Sequence, residues 1–182
     1  MNRIFRRASA LVLSILWVFT APLALNSQVG CARHPRSEEL FYYRTENVEA
    51  EISLEYNGVS SQFRYKGDEN GCRVEFSQPD QLSGFVIEVT NGIGKITFGD
   101  LSAAAPDALC AIPNIMHRVF TLSAEEITDV ETEQTEGAES ETTTKIVTSD
   151  ITVKLNSQGI PICAEGAKFK AEIRDFTVNP RN

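Results

Sequence analysis

The sequence predicts a mainly β (α+β) domain built on a single antiparallel sheet that a short helical segment covers in part. Three observations predict this fold class. From residue 48 onward apolar and polar side chains alternate with a period of two, as in strands that bury one face. Asn-Gly pairs at 57–58 and 91–92 interrupt the alternation, and this dipeptide favours tight hairpins. Between residues 103 and 122 the apolar period lengthens to three or four residues, which indicates a helix.

The first half of the domain predicts an antiparallel meander with one apolar and one charged face. In the first strand Val48, Ile52 and Leu54 point to one side, while Glu49 and Glu51 point to the other. The same alternation continues through the next four segments, and turn residues separate them. The predicted strands cover residues 48–56, 59–66, 72–77, 85–89 and 93–98.

The helical segment predicts two short helices. Leu109 and Ile112 keep the spacing of an amphipathic helix, but Pro113 lacks a backbone donor and clashes with the preceding turn. We therefore expect the helix to split or kink at this proline. Ser123 and Glu126 have the spacing of a capping box, which predicts a further brief helical turn.

Residues 129–145 are densely acidic and have no apolar period. They predict a solvated hairpin loop. A calcium site is the sharper alternative, because carboxylate oxygens are plentiful in this stretch. The segment lacks the ligand-x-ligand-x-ligand-Gly order of a calcium loop, however, and this favours the solvated loop.

Period-two alternation returns near the C-terminus. Residues 151–155 predict a strand, residues 156–161 predict a turn, and residues 167–174 predict a final strand. At Asp175 the phase slips by one residue, because the next apolar side chain, Phe176, occupies an even position. A β-bulge at Asp175 would keep Phe176 on the apolar face.

Residues 1–30 have the order of a secretory signal peptide. Three arginines precede an apolar run from Ala10 to Phe19, and no acidic residue occurs before Cys31. The run is short for a membrane-spanning helix, which needs about 20 mostly apolar residues. We therefore expect this segment to direct export. The alternative is a retained N-terminal anchor helix.

The residues before Cys31 resemble a bacterial lipobox, in which a small residue precedes a cysteine that becomes the lipidated N-terminus. Positions 29 and 30 fit this pattern, whereas Gln28 stands where leucine is usual. The resemblance implies that acyl chains such as palmitate are attached to Cys31 and hold the protein at the membrane. Residues 31–45 would then form a polar tether. Simple cleavage after Ala24 or Ala32 is the alternative.

Composition excludes nucleic-acid binding. Three of the 17 basic side chains precede Cys31, whereas all 25 acidic side chains follow it, so the chain from Cys31 onward has a net charge of −11. Nucleic-acid binding requires cations that displace phosphate counterions. Cys72, Cys110 and Cys163 allow either one disulfide and a free thiol or three buried thiols.

The sequence predicts no enzyme, no cofactor and no metal site. The two histidines are His34 and His117, and the cysteine separations match no metal-ligand spacing. No serine lies in a Gly-x-Ser-x-Gly motif, and no glycine-rich loop leads into a helix. Glu75 and Glu88 alternate with apolar residues, so we expect them on the solvated face, where a carboxylate pair catalyses little.

The motif Phe-Ser-x-Pro-x-x-Leu-x-Gly, residues 76–84, separates two predicted strands and precedes the Asn91-Gly92 turn. Gly159-Ile160-Pro161 lies in the late hairpin. In these motifs and in strand order, residues 46–178 of the predicted domain 46–182 resemble the outer-membrane lipoprotein carrier superfamily (LolA/LolB/LppX-like), especially its short Gram-positive lipoprotein members. The resemblance implies a LolA-like half-barrel domain: a single curved antiparallel sheet with a short helical lid over a concave cavity that accepts acyl chains.

The resemblance also implies which side chains contact a lipid or lipoprotein ligand. Apolar side chains of the strands would line the cavity, and apolar side chains of the helix would form the lid. The expected lining residues are Phe63, Tyr65, Phe76, Phe85, Ile87, Phe98, Phe169 and Ile173, with Leu109, Ile112, Met116 and Phe120 on the lid. A buried arginine that locks the lid is not expected, because Arg64, Arg73 and Arg174 alternate with apolar residues and face solvent.

Two hypotheses for function follow. The first is an exported, membrane-anchored, non-catalytic lipoprotein that binds an acyl chain or other amphiphile. The second is a cell-envelope or spore-associated scaffold lipoprotein that acts through a protein partner. In the second, the acidic loop 131–141 would meet a basic partner, and that binding would weaken as salt increases. Both hypotheses place the protein outside the cytoplasm, anchored to the cell membrane.

Overall fold

The computed structural model describes residues 42–134 and 142–179, with the backbone alone at Gln134. Within these ranges the chain forms eleven strands, one α-helix and one 3₁₀ turn. In chain order they are β1 (Asn47–Tyr56), β2 (Val59–Asp68), β3 (Gly71–Gln78), β4 (Phe85–Thr90), β5 (Ile93–Phe98), β6 (Leu101–Ala104), α1 (Asp107–Thr121), the 3₁₀ turn (Ala124–Glu126), β7 (Asp129–Gln134), β8 (Thr142–Val147), β9 (Ile151–Leu155), β10 (Pro161–Gly166) and β11 (Phe169–Asn179).

The described strands form one antiparallel sheet in the order β6-β5-β4-β3-β2-β1-β11-β10-β9-β8-β7. The two terminal strands, β1 and β11, pair at its centre. Strands β6 and β7 are its edges, and the sheet is therefore not closed into a barrel. The chain passes from one edge to the other through α1. The predicted fold class, a mainly β domain with one antiparallel sheet and a short helix, is confirmed.

The predicted hairpin turns and the predicted bulge are confirmed. Asn57 and Gly58 both have positive φ, at 51° and 79°, as a two-residue type I′ turn requires. Asn91 and Gly92 repeat this geometry at 51° and 77°. Asp175 also has a positive φ, 49°, and there the pairing of β11 with β1 shifts by one residue.

The helix is continuous, so the prediction of two short helices was wrong. Pro113 lies inside α1, which runs unbroken for 15 residues. Its ring is buried, and its carbonyl accepts a hydrogen bond from the Cys72 thiol on β3 at 3.4 Å. The loss of one helical hydrogen bond at a proline is thus offset by packing of this turn against the sheet.

The acidic segment contains more regular structure than predicted. Its two ends form β7 and β8, which pair from Asp129 opposite Val147 to Gln134 opposite Thr142. Threonine-rich strand composition favours pairing, and Lys145 contacts Glu131 across the strands at 2.7 Å. The tip of the hairpin lies outside the described residues. Strands β6 and β10 were not predicted either, because neither shows alternation.

The helix crosses the strands on the apolar face of the sheet. Near its start, the Cys110 sulfur lies 2.2 Å from the point that a Gly94 Cβ on β5 would occupy. Near its end, the Phe120 ring lies 6.0 Å from the Phe176 ring on β11. These strands are five spacings apart, roughly 24 Å in a flat sheet, whereas ten helical residues rise only about 15 Å. The sheet therefore curves around the helix, as a half-barrel does.

His117 lies where the helix contacts β2. Its Nδ1 lies 3.3 Å from the hydroxyl of Tyr65, which is buried. Burial of the imidazole is the main effect on His117 and lowers its pKa, while the charge of Asp68 acts in the opposite direction. Protonation of His117 therefore opposes packing of the helix on the sheet.

We expect Gly94→Ala to destabilise the protein by about 1–3 kcal/mol, because the new methyl group would overlap the Cys110 sulfur. Chemical denaturation measures the change. The matched control is Gly94→Ala combined with Cys110→Ala, in which the sulfur is absent and most of the loss relative to Cys110→Ala alone disappears. An equal loss of stability in both backgrounds would show that overlap between the new methyl group and the Cys110 sulfur is not the cause.

We also expect the free energy of unfolding to fall as pH decreases below about 6.5, the ordinary histidine pKa. The unfolded chain takes up the proton first, because the pKa of His117 is lowered in the folded state, so acid favours unfolding. Half-burial and solvent screening keep the slope well below the one-proton limit of about 1.4 kcal/mol per pH unit. Denaturant melts between pH 7.5 and 5.5 measure this slope. His117→Gln should flatten it, and an unchanged slope in that variant would contradict the assignment.

Candidate functional site

The apolar face of the sheet is the candidate site, and its centre is filled by the protein itself. The Phe63 and Phe76 rings on adjacent strands lie 5.4 Å apart, and Tyr65 packs on Phe120 of the helix at 4.6 Å. Seven of the predicted lining residues are buried in this core: Phe63, Tyr65, Phe76, Ile87, Met116, Phe120 and Ile173. These side chains hold the fold together and expose at most 5% of their surface to solvent.

The other five predicted lining residues are accessible. Phe85, Ile112 and Phe169 are half-buried, Phe98 is 49% exposed and Leu109 is 44% exposed. They do not form one site, because Phe85 and Phe98 lie on β4 and β5 whereas Phe169 lies at the start of β11. The structure therefore divides the predicted set into a buried core and two accessible regions.

The first accessible region lies at the β6 edge of the sheet. The Phe85 and Phe98 rings stack at 4.5 Å with an interplanar angle of 19°. Leu101 on β6 faces Phe98 in the ladder and is 75% exposed. Since paired residues point to the same side of a sheet, these three side chains form a row on the concave face.

The second accessible region is an open groove of about 350 Å³ between the helix and the turns before β9 and β11. Its apolar lining comes from Ile115, Ile151, Ala167 and Phe169, with Arg118 as one of the charged residues beside it. Sequence reasoning selected Phe169 but missed Ile115 and Ile151. Their apolar character was visible, yet the sequence contains no signal that they lie beside each other.

Arg118 joins the helix to two acidic groups at this groove. Its guanidinium donates to the carboxylate of Asp150 at 2.5 and 3.0 Å and to Glu126 Oε1 at 3.1 and 3.2 Å. The hydrogen bond with Asp150 raises the pKa of Arg118, and the same contact lowers the pKa of Asp150. This bidentate arrangement fixes the last turn of the helix against the β8–β9 turn.

Glu126 is held from a second side by the predicted capping box. The backbone N–H of Ser123 donates to Glu126 Oε2 at 3.0 Å, and the Ser123 hydroxyl donates to the same oxygen at 3.0 Å. The backbone hydrogen bond is the main cause that lowers the pKa of Glu126. The predicted helical turn after α1 is thereby confirmed.

Larger clefts elsewhere on the described chain are bordered mainly by polar and charged residue types. One, of about 710 Å³, lies beside Arg44, Glu69 and Glu125. Another, of about 500 Å³, includes Lys66 and Arg73. An apolar ligand is better matched by the smaller groove at the helix, because apolar lining with a few polar groups is typical of small-molecule sites.

The convex face carries ion pairs, two of which join neighbouring strands and one of which lies within β11. Arg64 contacts Glu51 at 2.9 Å, and Arg73 contacts Glu88 at 2.7 Å. Arg174 contacts Glu172 at 3.0 Å. The three arginines thus lie on the solvated face, as the alternation predicts, and each is close to a carboxylate.

The described residues contain no group of three or more His, Cys, Asp or Glu side chains that could hold a metal ion. Cys72, Cys110 and Cys163 are all free thiols. Burial raises the pKa of Cys72 to about 12 and also raises the pKa of Cys163. Neither thiol is therefore activated as a nucleophile. In the described part of the chain, no helix is long and apolar enough to cross a membrane.

Two predicted features lie outside the described residues. Cys31 and the tether to residue 41 precede the described chain. Most of the acidic loop 131–141 is also undescribed, although Glu131 and Glu133 at its start are exposed. Lipid attachment at Cys31 and a partner for this loop remain predictions.

The chain matches no protein-family model, and it matches no curated protein. Solved structures do match it. A crystal structure of an uncharacterized conserved protein from Thermus thermophilus has a TM-score of 0.51 at 11% identity, covering 80% of this chain and 86% of that one. MucB has a TM-score of 0.48 at 10% identity, covering 80% of this chain, which spans only 58% of the MucB chain.

A LolA superfamily protein, NE2245 from Nitrosomonas europaea, is also among the matched structures. Its TM-score is 0.37 at 11% identity, with coverage of 80% of this chain and 90% of that one. At these identities the likeness concerns fold, and the Thermus thermophilus protein is the match that supports a shared fold most directly.

Proposed function

We propose that the protein is an exported, membrane-anchored, non-catalytic lipoprotein that binds an acyl chain or other amphiphile on the concave face of its sheet. The main observation behind the proposal is that the helix covers only part of that face. The helix packs mainly on β2, β3 and β4, and apolar side chains remain accessible on both sides of it.

Dimensions explain why the cover is incomplete. Eleven strands span roughly 48 Å across the sheet, at about 4.8 Å per neighbour. The described helix has 15 residues, which gives a rod about 22 Å long and about 10–12 Å wide with its side chains. A single helix of this size covers only part of the concave face of the sheet. Apolar surface beside it would gain free energy by burial against a ligand.

The groove beside the helix has the chemistry that an amphiphile requires. Ile115, Ile151 and Phe169 offer apolar contact, while Arg118 and Lys168 lie at its rim. An acyl chain would pack on the apolar lining, and a polar head group would stay near the charges and water. We infer that this groove, rather than the filled centre of the core, is where a chain is bound.

The accessible members of the predicted set supply the remaining contacts. Phe85 and Phe98 would offer apolar contact in the separate region at the β6 edge, and Leu109 and Ile112 would offer it on the helix. The seven buried members act indirectly, since they hold the sheet and helix in the geometry that leaves the groove open. Non-catalytic action is supported by the raised pKa of Cys72 and by the engagement of His117 with Tyr65.

The anchor is the second part of the proposal. Residues 1–30 would direct export, and acylation of Cys31 would hold the protein at the outer surface of the cell membrane. Residues 31–45 would act as a tether for the folded domain. The chain from Cys31 onward is strongly acidic, so anionic head groups repel it and the acyl anchor provides the membrane affinity.

The scaffold hypothesis also has one observation in its favour. The exposed edge strand β7 carries Asp129, Glu131 and Glu133, which gives a basic protein partner a strip of negative charge at the sheet edge. Binding there would weaken as salt increases. Capture of an acyl chain in the groove would change little with salt.

We expect lipid to co-purify with the exported chain when it is isolated without detergent as a Cys31→Ala variant, which carries no covalent acyl group. Native mass spectrometry should show a mass excess that organic extraction removes. Ala167→Trp places an indole in the groove and should lower the lipid-bound fraction about tenfold, because the apolar contact is then already filled.

Ile162→Trp is the matched control, since Ile162 is an accessible apolar residue on β10 outside the groove lining. This variant should retain the bound lipid. A clean apo mass in the parent chain, unchanged after incubation with lipid vesicles, would contradict amphiphile binding and leave the acidic β7 strand as the candidate contact for a protein partner.

We expect the Cys31→Ala substitution to move the protein from the membrane fraction to the soluble extracytoplasmic fraction, because the acyl anchor is lost. Cell fractionation with detection of the protein measures this. Cys163→Ala removes a thiol from the folded domain and should leave membrane association unchanged. Continued tight association of the Cys31→Ala variant would argue against lipidation.

A further inference from the structure

We propose that two copies of this chain associate by antiparallel pairing of their β6 edges, about a two-fold axis at Ser102. The proposal concerns a surface outside the groove and does not rest on lipid binding. It follows from the composition, the exposure and the hydrogen-bonding direction of β6.

The two edge strands of the described sheet differ in how well they are protected against pairing with a strand of another chain. Strand β7 bears three acidic side chains, Asp129, Glu131 and Glu133. Charges of this kind keep edge strands from pairing with other chains. Strand β6 has the sequence Leu-Ser-Ala-Ala, with all four residues exposed, and it contains neither a charge nor a proline. Its open edge is a template for another strand.

Exposed apolar side chains are concentrated in the part of the chain that includes this edge. Eight large apolar side chains are exposed in the described chain, and five of them lie between residues 82 and 109. They are Leu82, Ile93, Phe98, Leu101 and Leu109. Neutral apolar surface is the part of this acidic protein where a second, equally acidic copy meets the least repulsion.

In β6 the backbone N–H and C=O groups of the even-numbered residues point away from the neighbouring strand β5. Ala105 donates its N–H inward to the Gly94 carbonyl on β5 at 2.9 Å. In an antiparallel ladder the bonded groups of successive residues alternate in direction, so the N–H and C=O of Ser102 and Ala104 point away from β5. Ser102 of each copy can then exchange two hydrogen bonds with Ser102 of the other.

This register places a large side chain beside a small one on the concave face. Leu101 of one copy faces Ala103 of the second copy, and Ala103 is itself the neighbour of Ile96 in β5. The row that begins with Phe98 and Leu101 thus continues into the second copy without a gap or a clash. The concave faces of the two sheets become continuous.

The same register also brings opposite charges of the two copies near each other. Asp100 of one copy, in the turn that precedes β6, would lie near Ala104 of the second copy, whose neighbour on β5 is Lys95. The backbone separation is two strand spacings, roughly 9.6 Å, and the residue between them is a small alanine. Asp100 and Lys95 are exposed, and neither takes part in an ion pair between described residues. The two-fold axis creates this pair twice.

Ser102→Cys in the full chain, expressed in its host, tests the proposal without purification. Two such thiols at a hydrogen-bonded antiparallel pair, with Cα atoms about 5.5 Å apart, suit a disulfide. With a mild oxidant added, we expect about tenfold more covalent dimer on a non-reducing gel than for Ser60→Cys, a matched exposed strand position. Equal yields would overturn the proposal.

A charge swap in the Ser102→Cys background tests the register. Asp100→Lys alone should lower the dimer yield about threefold, because each interface then contains two like-charged pairs. Lys95→Asp alone should lower it similarly, and the double variant Asp100→Lys/Lys95→Asp should restore it. A yield that stays low in the double variant, while circular dichroism shows an intact sheet, would exclude this register.

Discussion

The pairing of β1 with β11 is the contact on which the rest of the structure depends. Each strand begins or ends the described domain, yet their ladder runs from Asn47 opposite Asn179 to Tyr56 opposite Phe169. It joins a six-stranded N-terminal arm to a five-stranded C-terminal arm. Without it each arm would expose an edge in the middle of the apolar face. This contact spans most of the chain, so its formation carries a large loop-closure cost during folding.

The central pairing also explains why one helix can organise so large a sheet. The helix contacts β5 near Cys110 and reaches β11 through Phe120 and Phe176. It therefore bridges both arms and sets their curvature. The apolar surface that it leaves uncovered consists of the groove at Phe169 and the row at Phe98.

Local patterns in the sequence predicted local geometry well. The turns at Asn57-Gly58 and Asn91-Gly92, the capping box at Ser123 and the bulge at Asp175 depend on neighbouring residues, so the sequence contains their signals. Pro113 misled the prediction because its burial against β3 is a tertiary contact, which outweighs helix propensity. The segment was predicted as a hairpin loop, but its strands β7 and β8 were missed because their pairing depends on the exposed Lys145–Glu131 contact and on threonines rather than on apolar alternation.

The candidate site was less predictable for a related reason. A period of two shows which face a side chain joins, but it does not show what covers that face. Phe63 and Phe98 have the same pattern in the sequence, yet one is buried in the core and the other is half exposed. Only the position of the helix distinguishes core from site, and that position depends on packing between distant segments.

The route of the chain from one sheet edge to the other has a mechanical consequence. The helix crosses the curved sheet in a straight line. It is held at its start by the hydrogen bond from the Ala105 N–H to the Gly94 carbonyl and at its end by the contact between Arg118 and Asp150. If the two arms of the sheet spread apart, the distance between these two attachment points increases. The curvature of the sheet and the position of the helix on it therefore change together, and the lengths of the connecting segments 105–106 and 122–128 limit how far they can change.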